Sequence, residues 1–93
     1  MIRSFADPET AKLFRRERVR RVPPDIQRTA LRKLAQLDAA VTLDDLRAPP
    51  ANRLEALLGD RAGQHSVRIN DQWRICFVWA TGGPKNVEIV DYH

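Results

Sequence analysis

Residues 70–93 read NDQWRICFVWATGGPKNVEIVDYH, two apolar runs separated and preceded by turn residues. Asn70, Asp71 and Gln72 form one tight connection, and Gly82, Gly83 and Pro84 the next, so Trp73–Ala80 and Asn86–His93 read as strands. Strands joined by such short turns are antiparallel neighbours. In the first, Trp73, Ile75, Phe77 and Trp79 make a continuous apolar face, which turns Arg74, Cys76 and Val78 the other way. In the second, Val87 and Ile89 belong on the core side with Asp91 and His93, and Tyr92 shares the Arg74 face. An arginine, a carboxylate, a phenol and an imidazole thus collect at one end of a small sheet.

Working upstream, His65–Ile69 alternates as a third strand, Gly59–Gly63 is a turn-rich loop and Arg53–Leu57 reads as a further strand. Leu43, Leu46 and the pair Pro49, Pro50 predict a short helical turn and an extended approach. Ile26, Ala30, Leu34 and Leu37, with Leu31 beside them, repeat at helical spacing behind Asp25 and predict a helix to about Ala39. A first, weakly amphipathic helix is expected from Pro8 to about Arg18, with Asp7 as its N-cap. Ile2–Phe5 alternates as a short strand. The fold class is α+β: two N-terminal helices packed on one face of an antiparallel sheet, with no helix left for the other face.

The 93 residues make one domain, 1–93, because so short a chain buries only one modest core. Sixteen basic residues against 12 acidic give a net charge of +4, most of the excess being arginine. Arginine's planar fork suits phosphate oxygens, so a polyanion is the natural partner, although a charge of this size also serves solubility. Arg15, Arg16, Arg18, Arg20 and Arg21 crowd the stretch between the helices; such a run is either a solvated face or a phosphate-binding edge. Cys76, the one cysteine, lies within an apolar strand and reads as a small hydrophobe in a reduced compartment. The N-terminus lacks a signal-peptide pattern and no run approaches the ~20 apolar residues of a membrane span, so a cytoplasmic protein is expected.

Metal and nucleotide chemistry find no support in the spacing. The histidines, Cys76 and scattered acids do not form a zinc or magnesium pattern, Gly59–Gly63 is not a phosphate-cradling loop, and Ser66 has no partnered base. Phosphodiester cleavage by the substrate's own 2′-hydroxyl remains open. It requires a base, a cation for the phosphorane charge and an acid for the leaving 5′-oxygen.

Residues 52–79, NRLEALLGDRAGQHSVRINDQWRICFVW, followed by VEIVDYH at 87–93, with MIRSF at 1–5 and RKLAQLDAA at 32–40, resemble the HigB group of the RelE superfamily, the plasmid-maintenance killer toxins. The resemblance implies a RelE-like fold and a type II toxin that enters the ribosomal A site and cuts mRNA without metal or cofactor, leaving a cyclic phosphate. It also implies a helix-turn-helix antitoxin as partner. Arg74 takes the place of the superfamily's phosphate-contacting arginine, and Asp91, Tyr92 and His93 match the terminal group of HigB toxins. Where some relatives have a histidine and a lysine this chain has Glu55 and Leu58, and Glu55 resembles the general base of YoeB-type relatives. The asparagine often found two residues before the arginine is Gln72.

Expected catalytic residues are therefore Arg74, Glu55, Tyr92, His93 and Asp91, the last as an orienting group, since a second anion near the scissile phosphate raises the barrier. Arg15, Arg16, Arg18, Arg20, Arg21, Arg53, Arg61 and Arg68 are expected to bind RNA, and His65 to pack. The alternative is a basic protein that occupies RNA, the ribosome or an antitoxin without cutting.

Overall fold

The computed structural model describes residues 1–92. Two helices, α1 (Pro8–Phe14) and α2 (Pro24–Ala39), precede four strands: β1 (Glu55–Ala56), β2 (His65–Arg68), β3 (Trp73–Ala80) and β4 (Gly83–Asp91). The sheet runs β1-β2-β3-β4 with every neighbouring pair antiparallel. Both helices cover one face of it, as expected.

Helix α1 starts where Asp7 predicts. Its carboxylate accepts from the Thr10 backbone N–H at 2.7 Å and from the Thr10 hydroxyl at 2.9 Å, supplying a cap to otherwise unpaired donors. The same buried hydroxyl accepts from the Ile89 N–H at 3.0 Å, which fastens the helix to β4. The helix ends at Phe14 rather than Arg18. Arg16, at φ 64°, turns the chain out, with its N–H on the Leu13 carbonyl and that of Glu17 on the Lys12 carbonyl. Further helical turns would stack like charges three and four residues apart. Leaving the helix also lets Val19 and Val22 enter the core.

Helix α2 runs as its apolar spacing predicts and buries Ile26, Ala30, Leu34 and Leu37. Against them lie Val67, Ile69, Trp73, Ile75, Phe77, Val87 and Ile89 from the sheet. Each fully buried Leu, Ile or Phe contributes about 1.5–3 kcal/mol by leaving water. The predicted turn after α2 is present at Leu43–Arg47, closed by reciprocal bonds between Thr42 and Asp45. A second short turn spans Pro50–Asn52.

Three strand boundaries differ from those expected. β1 keeps only two residues, because Arg53 adopts a left-handed conformation (φ 45°, ψ 57°) and cannot extend the strand. β4 begins earlier, at Gly83, with Asn86 (φ 53°) at a bulge where the register shifts opposite Phe77. The extra residue swaps the alternation, so Lys85 points away from the core while Val87 and Ile89 point into it. Residues 2–5 do not form a full strand: Phe5 makes a single parallel bridge to Val87, and Arg3 N–H reaches the Pro84 carbonyl at 2.7 Å. Gly83 is required there, since any Cβ would collide with the Met1 carbonyl oxygen.

The sheet's outer face is also less bare than the helix count suggests. Ser66 and Cys76 on it are fully buried, as is most of Leu57. The loop 57–64 folds over this face, and Arg61 reaches from it across to Glu88 on β4.

Candidate functional site

The strand register builds the outer face residue by residue. Glu55 lies opposite Ser66, Ser66 opposite Cys76, and Cys76 opposite Glu88; one step along, Arg68 lies opposite Arg74 and Arg74 opposite Val90. Alternation places all of these side chains on the side away from the helices.

Arg74 sits at the centre of this surface with its guanidinium held on two sides. Nε donates to Ser66 Oγ at 2.7 Å and Nη2 to the Arg53 carbonyl at 2.8 Å. Nη2 also lies 3.5 Å from Glu55 Oε1. The Arg74 side chain is 12% exposed and that of Glu55 56%, so the cation is recessed and the carboxylate open to a ligand. Nη1 makes no bond among the described residues.

A second cation flanks the first. Arg61 donates to Glu88 Oε1 at 2.8 Å and to Gln64 at 3.0 Å. The hydrogen bond to Glu88 raises the pKa of its guanidinium, with further contributions from the fields of Cys76, Glu88 and Tyr92. Tyr92 therefore shares this side of the sheet; it is 41% exposed and anchored by its N–H to the Gln72 carbonyl. Burial pushes the Cys76 thiol up despite the nearby Arg61 and Arg74, which leaves it protonated and unreactive at neutral pH.

Of the expected catalytic set, Arg74 and Glu55 are in contact and Tyr92 is on the same face. Asp91 is not: it stands opposite Trp73 and accepts from Gln72 Nε2 at 3.1 Å. His93 lies outside the described residues. The carboxylate nearest Arg74 is Glu55, while Glu88 is taken by Arg61.

The expected RNA-binding arginines divide into two groups. Arg53, Arg61 and Arg68 border the outer face, although Arg68 is paired with Asp71. The 15–21 run lies on the helical side and is partly consumed by the fold. Arg15 pairs with Glu17, and Arg21 bonds the Ile89 carbonyl at 2.9 Å and Asp7 at 3.3 Å. The Arg20 N–H meets the Glu9 carboxylate. Arg16 and Arg18 have no ion-pair partner among the described residues. Arg16 joins Arg28, Leu31, Arg32 and Ala35 around an open groove of about 420 Å³. His65 stacks on Phe77, with centroids 6.3 Å apart, and packs as expected.

The sequence marks Ser66 only as a hydroxyl without a partnered base, and it does not mark Asn52 at all. Ser66 was legible in principle, since alternation puts it on the Arg74 face. Asn52, fully buried and hydrogen-bonded throughout, carries no pattern that marks it. Among the described residues, no three of His, Cys, Asp and Glu gather closely enough to hold a metal ion. No helix among them is long and apolar enough to cross a membrane.

With helices on one face of a four-stranded antiparallel sheet and an arginine recessed in the other, the molecule has the RelE-like toxin fold. The YoeB–YefM complex from Staphylococcus aureus includes a similar chain, at TM-score 0.57 and 16% identity over 100% of this chain and 98% of that one. A family model described as RelE-like toxin of type II toxin-antitoxin system HigB matches residues 3–93. Toxin HigB-1 of Vibrio cholerae serotype O1 is 46% identical over 66 residues, 71% of this chain and 70% of that protein. Endoribonuclease HigB of Proteus vulgaris is 32% identical over 94 residues, the whole of both chains. The chain belongs to the HigB-like family of type II toxin-antitoxin toxins.

Proposed function

We propose that this toxin is an endoribonuclease that cuts mRNA on the ribosome, by attack of the substrate's 2′-hydroxyl on the adjacent phosphate. The observation that carries the reading is the recessed Arg74 guanidinium beside the exposed Glu55 carboxylate. An open carboxylate accepts the 2′-hydroxyl proton, and a guanidinium already fixed in place stabilises the charge that grows on the phosphate. The relative named as an endoribonuclease supports the same reading.

Tyr92 is placed to stack on a base or bond the phosphate, and an imidazole at His93 is the better proton donor to the leaving 5′-oxygen near neutral pH. Arg53, Arg61 and Arg68 track the RNA backbone across the outer face. The groove of Arg16, Arg28 and Arg32, with Arg18 beside it in sequence, anchors ribosomal RNA phosphates from the helical side. A helix-turn-helix antitoxin is the expected protein partner, and the cytoplasm the working compartment.

The test is the chemistry of the product ends. Purified protein incubated with ribosomes programmed with a defined mRNA should release fragments with a 2′,3′-cyclic phosphate and a 5′-hydroxyl. Intact mRNA that stays bound would favour an occluding protein, and a 5′-phosphate would exclude this mechanism.

A further inference from the structure

Arg74 is a long, flexible side chain, yet the structure gives it almost no freedom. Its Nε edge is fixed by Ser66, whose hydroxyl is fully buried on β2 and has no water to exchange for the bond. Its Nη2 is fixed by the Arg53 carbonyl. That carbonyl points back at the sheet because Arg53 occupies the left-handed region, which an L residue with a Cβ adopts only when its surroundings hold it there.

The holding is done by the preceding residue. The Asn52 side chain is fully buried and uses all of its amide: Oδ1 accepts from Lys33 Nζ at 2.5 Å, and Nδ2 donates to Leu46 O at 3.1 Å, Gln36 Oε1 at 3.2 Å and Ala48 O at 3.3 Å. A lysine only donates, which fixes the orientation of the amide. Asn52 thus ties α2, the 43–47 turn and the chain before Pro49 to one point, and Arg53 leaves that point in a single direction.

From this geometry we propose that Ser66 and Asn52 are positioning residues for RNA cleavage, Ser66 directly and Asn52 through the Arg53 carbonyl, which together aim the guanidinium of Arg74 at the scissile phosphate. The proposal rests on the reading of Arg74 as the phosphate-stabilising group. Neither residue touches RNA; both act by keeping two of the guanidinium's nitrogens occupied so that the remaining Nη1 edge faces outward. Misplacing a catalytic group by about 1 Å costs on the order of 10²-fold, so losing one side of the clamp is expected to slow the chemical step without weakening RNA binding.

The experiment is a double-mutant cycle on the full chain, read as single-turnover cleavage of a defined mRNA on ribosomes. Ser66→Ala and Asn52→Asp should each lower the maximal rate roughly 10-fold and leave the half-saturating concentration within about two-fold. Ser66→Thr, which keeps the hydroxyl, should restore most of the rate. In an Arg74→Ala background neither change should slow cleavage further, because the group they position is gone. Melting temperature reports folding, and Ser66→Ala serves if Asn52→Asp does not fold. Full additivity with Arg74→Ala, or a wild-type rate for Ser66→Ala, would overturn the positioning role while leaving Arg74 catalytic. A wild-type rate for Arg74→Ala would overturn the catalytic reading and this proposal with it.

Discussion

Glu55 Oε1 lies 3.5 Å from Arg74 Nη2, a carboxylate on an edge strand facing a guanidinium on an interior one. The two come from positions 19 residues apart, brought together because β1 and β3 flank β2 with their side chains on one side. With its carboxylate end open to solvent the pair matters little for stability; ion pairs screened in this way contribute about 0–1 kcal/mol. On the proposed function its value is chemical, since a base and a charge-stabilising cation must reach one 2′-hydroxyl and its phosphate together.

Glu55→Gln is therefore expected to slow cleavage by about 10²- to 10⁴-fold while keeping the fold, because it removes the proton acceptor without changing volume. Single-turnover rates across pH check this. A wild-type rate and profile in the variant would transfer the base role to another group.

Neutralising Arg16, Arg28 and Arg32 to Gln should weaken ribosome association and flatten its salt dependence by roughly two to three in log–log slope, about 0.7–0.9 per lost phosphate contact. The cleavage products should be unchanged. These three are the right choice because no internal carboxylate pairs with them among the described residues, whereas Arg15 and Arg21 are committed to Glu17 and Asp7. Binding by filter retention at several salt concentrations is the measurement; an unaltered slope would make the groove an ordinary solvated surface.

The architecture was legible because hydrophobic period and turn residues agree along the chain. α2 and β3 follow directly from the 26–37 spacing and from the alternation Trp73, Ile75, Phe77, Trp79. The same alternation placed Tyr92 with Arg74. What periodicity does not encode was missed. The end of α1 depends on Arg16 taking a left-handed φ without glycine, and the start of β4 on a bulge at Asn86 that lets strand pairing begin three residues before the alternation does. The pairing of Arg74 with Glu55 rather than Glu88 required knowing that a loop carries Arg61 over the sheet. Nothing in the helical spacing distinguishes Lys33 from its neighbour Arg32, yet Lys33 is buried because Asn52 receives it.

That burial has a pH signature. Desolvation holds the Lys33 ammonium below its ordinary value, with the nearby Arg32 and Arg68 charges acting in the same direction. A lysine with a depressed folded-state pKa sheds its proton in the native state before the unfolded one does. The unfolded state then binds more protons, so stability rises with pH through a window that closes near the ordinary lysine value of 10.5. Wild type should gain stability relative to Lys33→Met as pH rises toward the ordinary lysine value of 10.5. Urea unfolding of both at several pH values checks the sign; a constant difference would mean that Lys33 titrates alike in both states.

The central claim, that this toxin cuts mRNA through a recessed arginine, is tested most directly by mapping mRNA 5′ ends in cells after induction of wild type and of Arg74→Ala at equal protein level. The account predicts new ends within reading frames for wild type, and their loss with restored growth for Arg74→Ala, because removing one charge-stabilising donor costs about 10²- to 10³-fold. New ends at wild-type frequency in the Arg74→Ala strain, or growth arrest by wild type without new ends, would contradict it.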